Sequence, residues 1–281
     1  MRLARFGDLG REYPALVDAG GGVRDARGWV DDWAGAALDP DNLRRLAARD
    51  PGNLPLLAAP VRFGPCVGRV GKIVGVALNY RQHAAETGGK ISTEPGLFLK
   101  ATSALAGADD PIIMPPTGTK LDWEVELGVV IGRTARYVAP AAALGYVAGY
   151  CLLDDVSERA FQLERGGQQH TKGKSADSFC PIGPWLLTAD AVADPQNILL
   201  WSAVNGVPMQ NGNTAQMIHP VAALVAAISE FMTLYPGDII ATGTPDGVGK
   251  GMIPPRYLAI GDVVTLGGAG LGEQRHRIVT A

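Results

Sequence analysis

Short apolar runs punctuated by glycine and proline constrain this chain more than any other feature. They occur at Lys72–Asn79, Leu97–Lys100, Pro111–Met114, Trp185–Thr188, Ile198–Asn205, Asp238–Thr242 and Asp262–Leu266. Runs of this length, bounded by turn residues, read as strands. Long helical periodicity is convincing only at Pro220–Met232, where a proline opens the first turn and Pro236-Gly237 lies beyond the end. The pattern predicts a β-rich α+β fold and argues against a doubly wound sheet.

Residues 1–70 read as a small N-terminal β/α module with its linker. Strands are expected near Leu3–Phe6 and Tyr13–Asp18, turn chemistry at Gly20–Gly22, and a helix capped by Asp39 that ends near Asp50-Pro51-Gly52. The Pro/Gly-marked stretch Pro55–Gly71 is the expected linker, and residues 71–281 form the main domain. With 281 residues, 47% of them hydrophobic, the chain has ample material for a buried core. The formal net charge is −3 with both signs dispersed, so no basic stripe points to nucleic acid or an anionic membrane. No segment approaches the roughly 20 apolar residues of a membrane span, and the N-terminus lacks a signal-peptide pattern, so the expected location is the cytoplasm. Cys66, Cys151 and Cys180 are widely spaced and suit reduced core thiols.

The chemistry begins in Lys120-Leu-Asp-Trp-Glu124-Val-Glu126-Leu-Gly-Val-Val-Ile-Gly132. Strand side chains alternate with period two, so Glu124 and Glu126 project the same way. Two carboxylates held side by side repel each other unless a cation neutralises them. A third, Asp155, ends the buried run Tyr146–Asp154 and precedes Val156–Gln162, which has helical spacing. Asp155 also fits a capping box with Glu158, and Glu124 and Glu126 also fit a solvated strand face. Three oxygen ligands without a nearby Cys or His pair favour magnesium, manganese or calcium over zinc.

Other polar groups gather around this trio. His83 and Glu86 are one helical turn apart, an arrangement in which Glu86 orients the imidazole for proton transfer. On the expected helix after Asp155, Arg159 and Gln162 share its side and suit the grip of a carboxylate or carbonyl, unless Arg159 is tied up by Asp155 or Glu158. The stretch Gln168–Ser175 lacks the glycine of a phosphate loop, and Lys174 within it reads as a cation directed into a site. Thr244 lies in a Gly-rich turn after the Asp238–Thr242 strand, where backbone N–H groups and its hydroxyl suit an anion.

Five ordered segments carry a resemblance: Asn79-Tyr80-x-x-His83-x-x-Glu86, Glu124-x-Glu126-Leu127, Asp154-Asp155-Val-Ser-x-Arg159-x-x-Gln162, Gly173-Lys174-Ser-x-Asp177, and Thr242-Gly243-Thr244-Pro-x-Gly247-Val-Gly249. Together they resemble the fumarylacetoacetate hydrolase superfamily over residues 71–281. The resemblance implies a mixed β-rich catalytic domain, usually in a homodimer. It further implies magnesium held by Glu124, Glu126 and Asp155, a water-activating dyad of His83 and Glu86, catalytic Lys174, and substrate contacts from Arg159, Gln162, Thr244 and Tyr80. The implied substrates are 2,4-dioxo acids, either acylpyruvates or 2,4-diketo-3-deoxy sugar acids, cleaved at a C–C bond. Decarboxylation of oxaloacetate and isomerisation of a 2-hydroxyhepta-2,4-dienedioate are the alternatives on the same metal platform. A protein that merely holds an ion for stability would need none of His83, Glu86 and Lys174. Two departures from the family pattern stand out: Ala101 follows Lys100 where proline is common, and Gly267–Gly272 replaces a more strand-like stretch. The segment from Arg81 to Pro95 is expected to form a lid.

Overall fold

The computed structural model describes residues 1–58 and 62–281. A mixed nine-stranded sheet runs in the order Val23–Asp25, Tyr13–Val17, Arg2–Phe6, Leu186–Thr188, Val147–Asp154, Val125–Ile131, Ile239–Ala241, Ile73–Ala77 and Gly96–Lys100. Its two longest strands, Val125–Ile131 and Val147–Asp154, are buried at every residue, which is why their sequences are apolar apart from Glu126 and Asp154. They pair antiparallel, with Val125 opposite Asp154 and Glu126 opposite Leu153, so the acidic ends of both strands meet at one place.

A second sheet of five strands runs Val207–Asn213, Leu199–Val204, Val263–Gly268, Gly272–Thr280 and Ile112–Met114. Leu200, Val264, Leu266 and Ile278 from this sheet share one hydrophobic cluster with Leu127, Val129 and Leu153 from the first. The fold is therefore α+β and strand-rich, as the turn-punctuated pattern predicts. Two strands escape that pattern. Val207–Asn213 carries Gln210, Asn211 and Asn213 in place of an apolar run, and Gly272–Thr280 alternates charged with buried residues while pairing with Val263–Gly268. The glycine stretch 267–272 makes the turn between those partners, with Gly270 at φ 78° and Gly272 at φ 87°.

Residues expected to form the N-terminal module lie at the edge of the large sheet. Arg2 and Leu3 pair antiparallel with Leu187 and Leu186, and Leu3, Leu16, Trp33 and Leu38 belong to the main hydrophobic cluster. The Pro40–Ala47 helix begins as predicted, with the Asp39 carboxylate accepting from the N–H groups of Asp41 and Asn42. It ends before the expected Asp50-Pro51-Gly52 stop. Residues 59–61 of the expected linker lie outside the described residues.

The helix expected after Asp155 is absent. Ser157 and Glu158 instead pair with Asp122 and Leu121, and a π-helical turn follows over Ala160–Glu164. The Glu158 carboxylate explains the difference: it accepts from the N–H groups of Thr119, Lys120 and Phe161, binding the segment to a neighbouring loop. No capping box with Asp155 forms. The stretch 168–175, which lacks the phosphate-loop pattern, contains a short helix at His170–Lys174. All three cysteines are free and buried, and among the described residues no helix is long and apolar enough to cross a membrane.

Gly149 shows how tightly neighbouring strands inside the large sheet are laid together. A Cβ there would come within 2.2 Å of the Leu187 carbonyl oxygen, a backbone atom that cannot swing away. Gly149→Ala is expected to lower stability by about 1–3 kcal/mol, measured by denaturant unfolding; an unchanged midpoint would contradict this packing.

Candidate metal centre

Glu124 immediately precedes the strand on which Glu126 is the second residue, and Asp155 immediately follows the paired strand. The Asp155 N–H donates to the Glu124 carbonyl at 2.9 Å, continuing the ladder beyond the strand ends. One oxygen from each of Glu124, Glu126 and Asp155 lies within 4.8 Å of the others, and all three residues are buried. Strand periodicity and antiparallel register thus suffice to assemble the trio.

Cations compensate it unevenly. The Lys174 ammonium lies 2.6 Å from both Glu124 and Asp155, the Arg159 guanidinium 2.6 Å from Glu124, and the Lys100 ammonium 2.5 Å from Asp155. Burial would raise the Glu124 carboxyl, but Lys174 and Arg159 hold it well below the usual carboxylate range. Glu126 has no such partner among the described residues; its hydrogen bond comes from the Gly243 N–H at 2.8 Å. Burial, followed by the charges of Asp155 and Glu124, pushes its carboxyl well above the usual value. Burial likewise pushes Asp154 up to about 7, and one of its oxygens has no hydrogen-bond partner. Hard oxygen donors at this spacing, with one carboxyl uncompensated, fit a divalent cation such as magnesium, manganese or calcium.

His83 sits on the Arg81–Thr87 helix with its Nδ1 3.3 Å from Glu86 Oε2. The other Glu86 oxygen accepts from the Gly247 N–H at 3.0 Å, which fixes the carboxylate against the glycine-rich turn. His83 lines a cleft that also exposes Glu124, Glu126, Asp155 and Lys174. Phe98 forms one wall, lying over Gly75, where a Cβ would meet its ring at 2.2 Å. The Lys174 ammonium is 5.6 Å from the centre of that ring.

Arg159 and Gln162 both line the cleft, although a π-helical turn and not an α-helix brings them there. Arg159 pairs with Asp122 and Glu124, not with Asp155 or Glu158. It also donates to the Gln162 side-chain oxygen at 3.0 Å. That bond orients the Gln162 amide, whose nitrogen lies 3.1 Å from His170 Nδ1 and donates to it. The proton of neutral His170 is therefore on Nε2, and burial, with Lys174 nearby, lowers the pKa of this ring. The Thr244 hydroxyl donates to the Val125 carbonyl at 2.8 Å and accepts from Gln210 at 2.7 Å, so its hydrogen is already engaged. Tyr80 is fully buried, its hydroxyl is unpartnered, and it does not line the cleft.

Sequence reasoning missed Lys100, Asp122, His170 and Lys250 as members of this neighbourhood. Lys100 and Asp122 each adjoin a buried apolar stretch, a placement that an ionised side chain tolerates only with a partner. His170 and Lys250 carry no comparable local signal.

The fumarylacetoacetate hydrolase C-terminal domain model matches residues 72–279. A relative from Burkholderia ambifaria, provisionally named a hydrolase without a substrate, is 54% identical over 98% of this chain and 97% of its own length. The crystal structure of maleylpyruvate hydrolase from Sphingobium sp. SYK-6, in complex with manganese(II) and pyruvate, is 31% identical with a TM-score of 0.81 over 100% of both chains. That of 2-hydroxyhepta-2,4-diene-1,7-dioate isomerase from Mycobacterium marinum is 31% identical with a TM-score of 0.76, over 100% of this chain and 98% of the other.

Ion binding requires Glu126 as carboxylate, whereas its raised pKa keeps it protonated into the range above ordinary carboxyls. Affinity for manganese is therefore expected to rise with pH beyond the ordinary carboxyl range, with proton release on binding. Calorimetric titration in buffers of different ionisation enthalpy checks both, and Glu126→Gln should abolish manganese binding. A pH-independent affinity would contradict the assignment.

Proposed function

Because the chain belongs to the fumarylacetoacetate hydrolase family, we propose that it is a divalent-metal-dependent hydrolase that cleaves a C–C bond in 2,4-dioxo acids. The observation that carries this reading is the convergence on one cleft of a buried carboxylate trio, a His–Glu pair and two cations. The manganese and pyruvate described for the Sphingobium enzyme support it, since pyruvate is the product that an acylpyruvate would release. Glu124, Glu126 and Asp155 would hold the ion, which when bound supplies Lewis-acid polarisation of the dioxo acid.

The residues of the chain perform the remaining tasks. Glu86 faces His83 Nδ1 and keeps the proton on that nitrogen, leaving Nε2 free to accept one from water. The water oxygen attacks the C4 carbonyl, the C3–C4 bond breaks, and the electron pair passes to the enolate of the departing 2-oxo acid. His83 returns its proton to C3, so the products are a carboxylic acid and a 2-oxo acid. Lys174 and Arg159, beside Glu124, offset the charge that develops on the enolate. Gln162 and neutral His170 add donors for substrate oxygens. Thr244 shapes the cleft through the backbone of Val125.

Incubation of the protein with a panel of 2,4-dioxo acids, oxaloacetate and a 2-hydroxydienedioate, with magnesium or manganese, tests the reading. Two acids are the expected products; carbon dioxide or a single isomer would replace hydrolysis by one of the alternatives. His83→Ala is expected to lower turnover by about 10²- to 10⁴-fold while manganese affinity is retained. Loss of affinity in that variant would contradict the role given to His83.

A further inference from the structure

Lys250 is a cation of the cleft whose charge the protein leaves unspent. Arg159 is committed to Asp122 and Glu124, Lys174 to Glu124 and Asp155, and Lys100 to Asp155. Lys250 lines the same cleft and is partly buried. Among the described residues no carboxylate pairs with its ammonium, and Asp122, Glu124 and Asp155 are engaged by the other three cations.

The backbone beneath Lys250 is held firmly. It occupies the turn Gly249–Gly251, and Asp122 clamps that turn by accepting from the Gly249 N–H at 2.8 Å and the Lys250 N–H at 3.1 Å. The same carboxylate accepts from Arg159 Nε at 2.8 Å and from the Trp123 N–H at 3.0 Å, so its capacity is used without the Lys250 side chain. Packing removes further freedom. A Cβ at Gly249 would come within 2.0 Å of the Arg256 carbonyl oxygen, and one at Gly251 within 2.3 Å of the Glu86 side chain. Lys250 thus stands on a rigid turn joined on one side to Arg159 and on the other to the helix of His83 and Glu86.

A solvated surface lysine is the ordinary reading of an unpaired ammonium. A surface lysine, however, is not driven below its usual pKa by burial and by a neighbouring arginine, as Lys250 is. An anion in the cleft would relieve both penalties.

The geometry points to Lys250 as the residue that selects the far end of the substrate, pairing with a second carboxylate on a dioxo acid whose oxo-acid head faces Glu124, Glu126 and Asp155. The preferred substrate class is then the dioxo dicarboxylates, over acids of equal length with an apolar tail. This inference rests on the dioxo-acid reading above.

Two unreactive ligands with the same 2-oxo acid head separate the two claims. One is 2-oxoadipate, which ends in a second carboxylate; the other is 2-oxohexanoate, of equal length, which ends in a methyl group. Binding to the manganese-loaded protein is measured by calorimetry, with unfolding temperature as the check on each variant. The wild-type protein should prefer 2-oxoadipate by about tenfold or more, the worth of one charge-assisted hydrogen bond. Lys250→Met should bring that ratio to about one, and Lys250→Arg should keep it, since the charge is what is read. Equal affinities in the wild type, or a preference that survives Lys250→Met, would overturn the inference while leaving the dioxo-acid reading intact. Failure of both ligands to bind would remove that reading, and this inference with it.

Discussion

Keeping three carboxylates together in a buried place is the constraint on which the rest of this molecule depends. Isolated buried charges of one sign are unstable, so the fold surrounds them with Lys100, Arg159 and Lys174, drawn from distant parts of the chain. These cations need fixed positions of their own. Asp122 and Gln162 hold Arg159, and the Phe98 ring stands beside Lys174. Compensation stops short at Glu126, and that shortfall sets the cluster apart from a simple knot of ion pairs.

The two central strands solve the positional problem with little machinery. Antiparallel register sets Val125 against Asp154, so Glu124 and Asp155 meet where the strands end. The apolar remainder of both strands is buried at every position, which makes the ladder stiff. The glycine-rich turn after Ile239–Ala241 serves the cluster twice. Gly243 donates to Glu126, and Gly247 donates to Glu86, linking the carboxylate cluster to the His83–Glu86 pair.

Much of this was legible in the sequence, for identifiable reasons. Period-two spacing placed Glu124 and Glu126 on one face, and i,i+3 spacing on a helix brought His83 to Glu86, because both signals are local. Signals failed where long-range contacts outweigh local preference. The Val156–Gln162 stretch has helical spacing, yet backbone pairing with Leu121 and Asp122 and three N–H bonds to Glu158 leave only a π-helical turn. The strand Gly272–Thr280 alternates charges because one face is open, so it lacks the apolar run that marked the others. Lys250 and His170 came to the cleft on a short turn and a five-residue helix, and nothing in their neighbours announces that destination.

The strand order also bears on how the chain is made. Ile239–Ala241 lies between Val125–Ile131 and Ile73–Ala77, and Leu186–Thr188 lies between Arg2–Phe6 and Val147–Asp154. A nascent chain therefore carries an unfilled slot in the middle of its sheet until its last quarter leaves the ribosome. During that interval the apolar Val125–Ile131 strand has an open edge that invites pairing with another chain. Slow closure of so non-local a ladder makes synthesis, more than the finished protein, the stage most exposed to aggregation.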